Sequence, residues 1–239
     1  MMNFINPVDI TLAGQFNTQQ AMLYQRQWSA LLSLDDQNKP IETVAGVDVA
    51  YDKATNQAFA VAIVIDADSL AIREVQEATS TITIPYCSGF LSFREVPAIS
   101  KALDKLTRLP DLIVCDGQGV AHPRGFGLAC HLGLAYNIPT IGCGKSRLCG
   151  FAEEPGPSRG SFSYLYDKHK TIIGCVLRTR NGVKPVYVSS GHKISLSTAR
   201  EWILKLSPKY RLPETTRLAD GYADEYKRSW LAQHPNCPL

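Results

Sequence analysis

Apolar positions follow two rhythms along this chain, and their alternation sets out the order of elements. Residues 17–34 carry helical spacing. Residues 44–51 (VAGVDVAY), a β-branched run bounded by Pro40 and Asp52, read as a strand. Residues 58–66 (AFAVAIVID) and 71–78 read as two further strands, spaced as in an antiparallel meander. Phe93, Val96, Ile99, Leu103 and Leu106 then recur at helical spacing over residues 93–106. A short apolar strand at 112–115 leads into a glycine-rich loop, a helix at 126–136 and a strand at 138–142. Strands at 163–166, 171–177 and 185–189 and helices at 195–206 and 215–231 complete the order. Three strands, a helix, a strand, a helix and another strand imply an α/β fold, a mixed sheet with helices packed on its faces.

Composition narrows the class. With 239 residues, 45% of them hydrophobic and 20% charged, the chain can bury a substantial core, which excludes disordered and fibrous classes. Residues 153–160 (EEPGPSRG) read as a turn rather than a linker, and no internal repeat is present, so residues 1–239 are expected to form a single domain. No apolar run is long enough to span a membrane, and residues 1–10 lack the basic start and long apolar stretch of a signal peptide. A cytoplasmic, monomeric protein without a membrane partner is the expectation. Seven cysteines, Cys87, Cys115, Cys130, Cys143, Cys149, Cys175 and Cys237, include no C-x-x-C pair, so they read as packed thiols in a reducing compartment.

The net charge of +3 is small, but it is unevenly distributed. Residues 1–140 hold 9 Lys+Arg against 14 Asp+Glu, a balance of −5, whereas residues 141–239 hold 16 against 8, a balance of +8. A metal site beside a phosphate track would suit that division, and so would an unevenly charged solvated surface.

Two acids stand out against their neighbours. Asp48 lies between Val47 and Val49 in the middle of a strand, where a buried carboxylate is costly unless it is paired or bound to metal. Alternation places Gly46, Asp48 and Ala50 on one face, and these small neighbours read as leaving room for something to approach the carboxylate. Asp116 ends the apolar run LIVC, at the carboxyl end of a strand where open α/β sheets present ligand sites. Taken singly, each is more commonly a strand-end acid capping a nearby helix. Together they are carboxylates whose mutual repulsion a divalent cation would offset. Glu95, at the start of a predicted helix, and Asp220, near the last helix, are further candidates. An all-oxygen set selects Mg²⁺ or Mn²⁺ over zinc. Gly117-Gln118-Gly119 follows a strand as a dinucleotide fingerprint would, but His122 stands where the third glycine belongs and Pro123 follows. Gly144-Lys145-Ser146 lacks the earlier glycine of a phosphate-binding loop, because that position is Pro139. Lys145 and His122 are candidate phosphate contacts, and His122 is also a candidate proton donor. His192 reads as structural. No G-x-S-x-G is present.

PYCSGFLSFRE (residues 85–95), LIVCDGQGVAHPRGFGLACHLG (112–133) and TRLAD (216–220) resemble endonuclease V, with the likeness running from about residue 16 to 230 and every block in family order. The resemblance implies a ribonuclease H-like fold. It also implies Mg²⁺-dependent cleavage of DNA at the second phosphodiester bond 3′ to a deaminated purine, chiefly inosine, as a step of DNA repair, with Mn²⁺ able to substitute. Water activated by the ion would attack phosphorus and leave 3′-hydroxyl and 5′-phosphate ends. Carried over by motif, Asp48, Glu95 and Asp116 match the metal-binding carboxylates, and Asp220 matches a position before the last helix that is acidic or histidine. Lys145 matches the lysine beside the scissile phosphate, and His122 the histidine near the metal site. Leu91, Gly117 and Gly119 match the lining of the pocket for the flipped base, and Tyr86 matches the wedge that fills the gap it leaves.

The chain departs from the family's usual PYIPG: Cys87 and Ser88 stand in place of Ile and Pro. A less rigid, less apolar wedge loop is expected to favour single-stranded or mismatched substrates. Two alternatives keep the same pocket: a ribonuclease acting on inosine-containing RNA, and a non-catalytic module binding inosine or branched DNA.

Overall fold

The computed structural model describes residues 16–234, so the N-terminal stretch read against a signal peptide, and Cys237, lie outside the described residues. The elements follow in the order α1 (Thr18–Ser29), β1 (Thr43–Asp52), β2 (Gln57–Asp66), β3 (Ile72–Thr81), α2 (Leu91–Leu103), β4 (Leu112–Cys115), α3 (Leu128–Tyr136) and β5 (Thr140–Gly144). After these come β6 (Phe162–Tyr166), β7 (Ile172–Leu177), β8 (Val186–His192), α4 (Leu196–Lys205) and α5 (Glu214–Gln233). The strands form one sheet ordered β3-β2-β1-β4-β5-β8-β7-β6. The first three strands pair antiparallel, as their spacing predicts, and β1, β4 and β5 run parallel at the centre. This is the mixed α/β sheet, ribonuclease H-like in its architecture, that the sequence implied.

Two apolar layers sandwich the sheet. On one face Val44, Val61, Ile63, Leu112, Ile141 and Val188 pack against Ala199 and Ile203 of α4 and Ala223 of α5. On the other, Ala45, Val47, Ala60 and Ile113 meet Val96 and Ile99 of α2 and Leu128 and Leu132 of α3. The central strands are buried on both faces, which is why they read as nearly continuous apolar runs. Helix α1 adds a third layer, bringing Ala21 and Trp28 against Phe90, Phe93 and Phe126. Of the six described cysteines, Cys115, Cys130, Cys143 and Cys175 are buried free thiols. No helix among the described residues is long and apolar enough to cross a membrane.

Boundaries differ from expectation in two informative places. Helix α1 starts where Asn17 caps it, its side chain accepting from the N–H groups of Gln19 and Gln20 at 2.9 and 3.2 Å. It stops at Ser29 rather than near residue 34, because the following segment is captured by the end of β8. There the Ser33 N–H donates to His192 Nδ1 (3.2 Å) and the Ser33 carbonyl accepts from the Lys193 N–H (2.6 Å). His192 is thus structural, as expected. Helix α2 starts at Leu91, before the predicted Phe93, so Glu95 sits in its second turn and not its first. The favourable helix dipole, which would explain a first-turn glutamate, does not explain this one.

Candidate active site at the carboxyl end of the parallel strands

Strands β1 and β4 run side by side in a register that pairs Val47 with Cys115. Asp48 and Asp116 each come one residue later, so the two carboxylates project from adjacent parallel strands toward the α5 side of the sheet. Burial, and next the negative charge of Asp116, raise the Asp48 pKa to about 6. Glu95 arrives from α2 on the opposite face. Its Oε1 accepts from the Tyr51 hydroxyl at 3.0 Å, and Tyr51 lies under the Arg94 guanidinium, 4.4 Å from its ring centroid. Burial pushes the Glu95 pKa up to about 8; the Tyr51 bond opposes this, while the charges of Asp48 and Asp116 add to it.

Lys145, just past β5, closes the group from the third parallel strand. Its Nζ lies 2.5 Å from Asp116 Oδ2 and 3.1 Å from Asp220 Oδ1. Partial burial would lower its pKa, but the two aspartates outweigh that effect and hold the ammonium charged. Asp220 lies within α5, past its first turn, rather than before the last helix, and it is more than half exposed. Arg211 donates to the Lys145 carbonyl (2.7 Å), tying the start of the basic segment to the connection between α4 and α5.

Beside the carboxylates lies a cavity of about 260 Å³ whose wall includes Tyr86, Leu91, Gly117, His122, Leu128 and Lys145. Tyr86 is 73% exposed. Four of the residues matched to base recognition or the nearby histidine therefore do meet around one cavity. Gly119 does not join its wall. Its N–H donates to Ser189 Oγ (2.9 Å), and it packs against the β8 backbone at Ser190. His122 does not behave as a charged phosphate ligand. Its Nε2 meets the Gly89 carbonyl at 3.0 Å and its Nδ1 accepts from the Arg124 N–H at 3.2 Å, so the network assigns a neutral ring with the proton on Nε2. Burial, and next the Arg124 charge, lower its pKa to about 4.

Sequence reasoning missed three contributors: Tyr51, Gln118 and Arg124. Gln118 is buried, its Nε2 donating to the Ser146 carbonyl (3.0 Å). Its position inside the glycine-rich loop was the only available signal. Nothing local in the sequence marks Tyr51 or Arg124.

The donor set suits a hard divalent cation. Asp48, Glu95 and Asp116 offer oxygen only, and among the described residues neither Asp48 nor Glu95 is in an ion pair, although burial and mutual repulsion disfavour their charged forms. Among the described residues no three acidic, histidine or cysteine side chains are already gathered at ion-holding positions. Lys145 draws Asp116 and Asp220 to itself, and Tyr51 holds Glu95.

A ribonuclease H-like sheet that sets aspartates side by side on adjacent parallel strands, with a lysine and a helix-borne glutamate beside them, defines a nuclease, a hydrolase of phosphodiester bonds. The sequence-family model for endonuclease V matches residues 26–221. The chain is 46% identical over 218 residues to the endonuclease V of Trichormus variabilis, covering 91% of this chain and 96% of that relative. It belongs to the endonuclease V family. The crystal structure of endonuclease V from Streptomyces avermitilis superposes with a TM-score of 0.87 at 42% identity, over 92% of this chain and 97% of that one. The Ciona intestinalis endonuclease V, solved with a 24mer DNA containing an inosine followed by a ribo-adenosine, shares the fold at a TM-score of 0.77 and 24% identity, over 90% of this chain and 100% of its own.

Proposed function

We propose that this endonuclease cleaves a DNA strand at the second phosphodiester bond 3′ to a deaminated purine, chiefly inosine, in DNA repair, with Mg²⁺ as its cofactor and Mn²⁺ able to substitute. The observation that carries this reading is the base-sized cavity sharing Lys145 and Asp116 in its wall with the carboxylate group. A base turned out of its stack into that cavity leaves the adjoining backbone beside the carboxylates.

Asp48, Asp116 and Glu95 would hold the ion, with Asp220 at the margin. Bound there, the ion would lower the pKa of a water and stabilise charge on the phosphoryl and departing 3′ oxygens. Lys145 contributes a fixed positive charge that can pass from Asp116 and Asp220 to a phosphoryl oxygen. Leu91 and Gly117 shape the cavity for a flat base, with Gly119 supporting that loop from behind. His122 acts as a neutral hydrogen-bonding group, and Tyr86 stands over the mouth as the wedge. The segment that carries +8 supplies affinity that is independent of base sequence and falls with salt. The protein acts as a cytoplasmic monomer, with residues 16–230 as one working unit.

The decisive assay offers matched strands with and without inosine, as DNA and as RNA, with Mg²⁺ or a chelator. Metal-dependent cuts confined to the inosine DNA strand are expected, leaving 3′-hydroxyl and 5′-phosphate ends. Faster cutting of the RNA would make inosine RNA the substrate, and metal-independent binding without a cut would make the protein a recognition module.

Two variants refine the reading. Tyr51→Phe removes the hydroxyl that holds Glu95, so cleavage should fall about tenfold and half-maximal activity should need more Mg²⁺. A Mg²⁺ titration identical to that of the parent would deny Tyr51 this role. Restoring Ile at Cys87 and Pro at Ser88 should stiffen the wedge loop and raise duplex cleavage relative to single-strand cleavage, and an unchanged ratio would sink the idea.

A further inference from the structure

The loop that carries Tyr86 is held on both sides of that residue: before it the Ile84 carbonyl accepts from Arg94 Nη1 (2.6 Å), and after it the Gly89 carbonyl is the more heavily bonded anchor. The Gly89 carbonyl receives three donors: Gln25 Nε2 at 3.0 Å, His122 Nε2 at 3.0 Å, and Arg124 Nη2. They come from α1 and from the turn before α3, two parts of the molecule distant in sequence from the loop. Gln25 is fully buried and uses its whole amide. The same Nε2 also donates to the Phe126 carbonyl (3.1 Å), while its Oε1 accepts from Arg124 Nε. The Arg124 guanidinium in turn lies 4.4 Å from the centroid of the Phe90 ring, directly after the clamped carbonyl. One buried side chain on α1 therefore ties together the wedge loop, the arginine that covers it, and the segment entering α3.

We propose that Gln25 is a positioning residue for strand separation: through the Gly89 carbonyl it fixes the height of Tyr86 over the cavity. This deepens the proposed function and rests on its assignment of Tyr86 as the wedge. The argument is one of rigidity. A carbonyl with three donors, one cationic and one a buried neutral imidazole, cannot shift without stranding buried polar groups. Tyr86 itself is exposed and needs a fixed base to push against a stacked neighbour. The loop lacks the proline of the usual family pattern, so the clamp supplies from outside the loop part of the stiffness its own sequence lacks. Separating a duplex requires that stiffness, whereas an already single strand does not.

The test compares the parent protein, Tyr86→Ala, Gln25→Leu and Gln25→Glu on one inosine strand, alone and in duplex. Both Gln25 variants remove the Gln25 donor to the Gly89 carbonyl and leave those of His122 and Arg124, and the glutamate keeps an acceptor for Arg124. Expected is about a tenfold fall in duplex cleavage with single-strand kcat within about twofold of the parent. Hydrogen exchange should quicken over residues 84–90 while staying slow over β1 and β4. The proposal is overturned if both Gln25 variants keep the parent's duplex-to-single-strand ratio, if cleavage of both substrates falls equally, or if exchange in the loop is unchanged. A Tyr86→Ala ratio equal to the parent's overturns the wedge assignment, and the clamp's purpose with it. Loss of the ratio in Tyr86→Ala alone overturns only the clamp.

Discussion

Asp48→Ala should lower strand cleavage by more than about 10³-fold and leave binding of an inosine-containing strand intact. Asp48, within β1, and Asp116, just past β4, are neighbours on adjacent parallel strands, so removing one leaves a single carboxylate of that pair to hold an ion. The base cavity is built from other residues, Tyr86, Leu91, Gly117 and His122, and survives the change. Stability should respond in the opposite sense to activity. In the parent, burial and the Asp116 charge hold the Asp48 pKa near 6, and neither Asp48 nor Glu95 is in an ion pair among the described residues. Deleting a carboxylate that is costly to bury and repelled by its neighbours relieves the fold. Thermal unfolding without metal should therefore occur at or above the parent temperature. Cleavage assayed beside gel-shift binding and a melting curve checks all three, and full retained activity would refute the assignment of Asp48.

Much of this arrangement was legible because local chemistry announced it. Asp48 was visible because a charge between Val47 and Val49 contradicts a buried strand, and Asp116 because it ends an apolar run. The antiparallel meander β1-β2-β3 followed from short spacings between alternating segments. The contributions of Tyr51, Gln25 and Arg124 were not legible, since each acts through a partner distant in sequence. The Tyr51 hydroxyl meets a glutamate on a later helix, and the Gln25 amide meets a carbonyl 64 residues on. Such pairings exist only after α1 and α2 have packed, and no local rule marks them. The division of charge acquired a physical meaning in a different way. Asp116, in the segment that sums to −5, meets Lys145, in the segment that sums to +8, at 2.5 Å. The parallel step from β4 to β5 brings the two together.

One sequence expectation is overturned, and it leads to the second large effect. Gly46, which beside Asp48 reads as room for a ligand, leaves room for α5. A Cβ at Gly46 would lie 2.1 Å from the Thr215 carbonyl oxygen, 2.4 Å from its carbon and 2.9 Å from its Cα, all backbone atoms. Strand β1 cannot withdraw, because it is paired on both sides, to β2 and β4. Gly46→Ala therefore has to lift the start of α5 from the sheet. The cost should reach at least about 3 kcal/mol, the upper part of the range for overpacked cores. For a chain of this size that corresponds to a Tm lower by about 6–12 °C. Gly221→Ala is the matched control. It makes the same chemical change on α5 itself, where nothing lies within 4 Å of the added carbon, and better helix propensity should raise Tm slightly. Equal melting temperatures for Gly46→Ala and the parent would mean that α5 does not seat on β1 as described. Activity should follow the displaced helix, because α5 carries Asp220, one of the two aspartates that hold Lys145 beside the carboxylates.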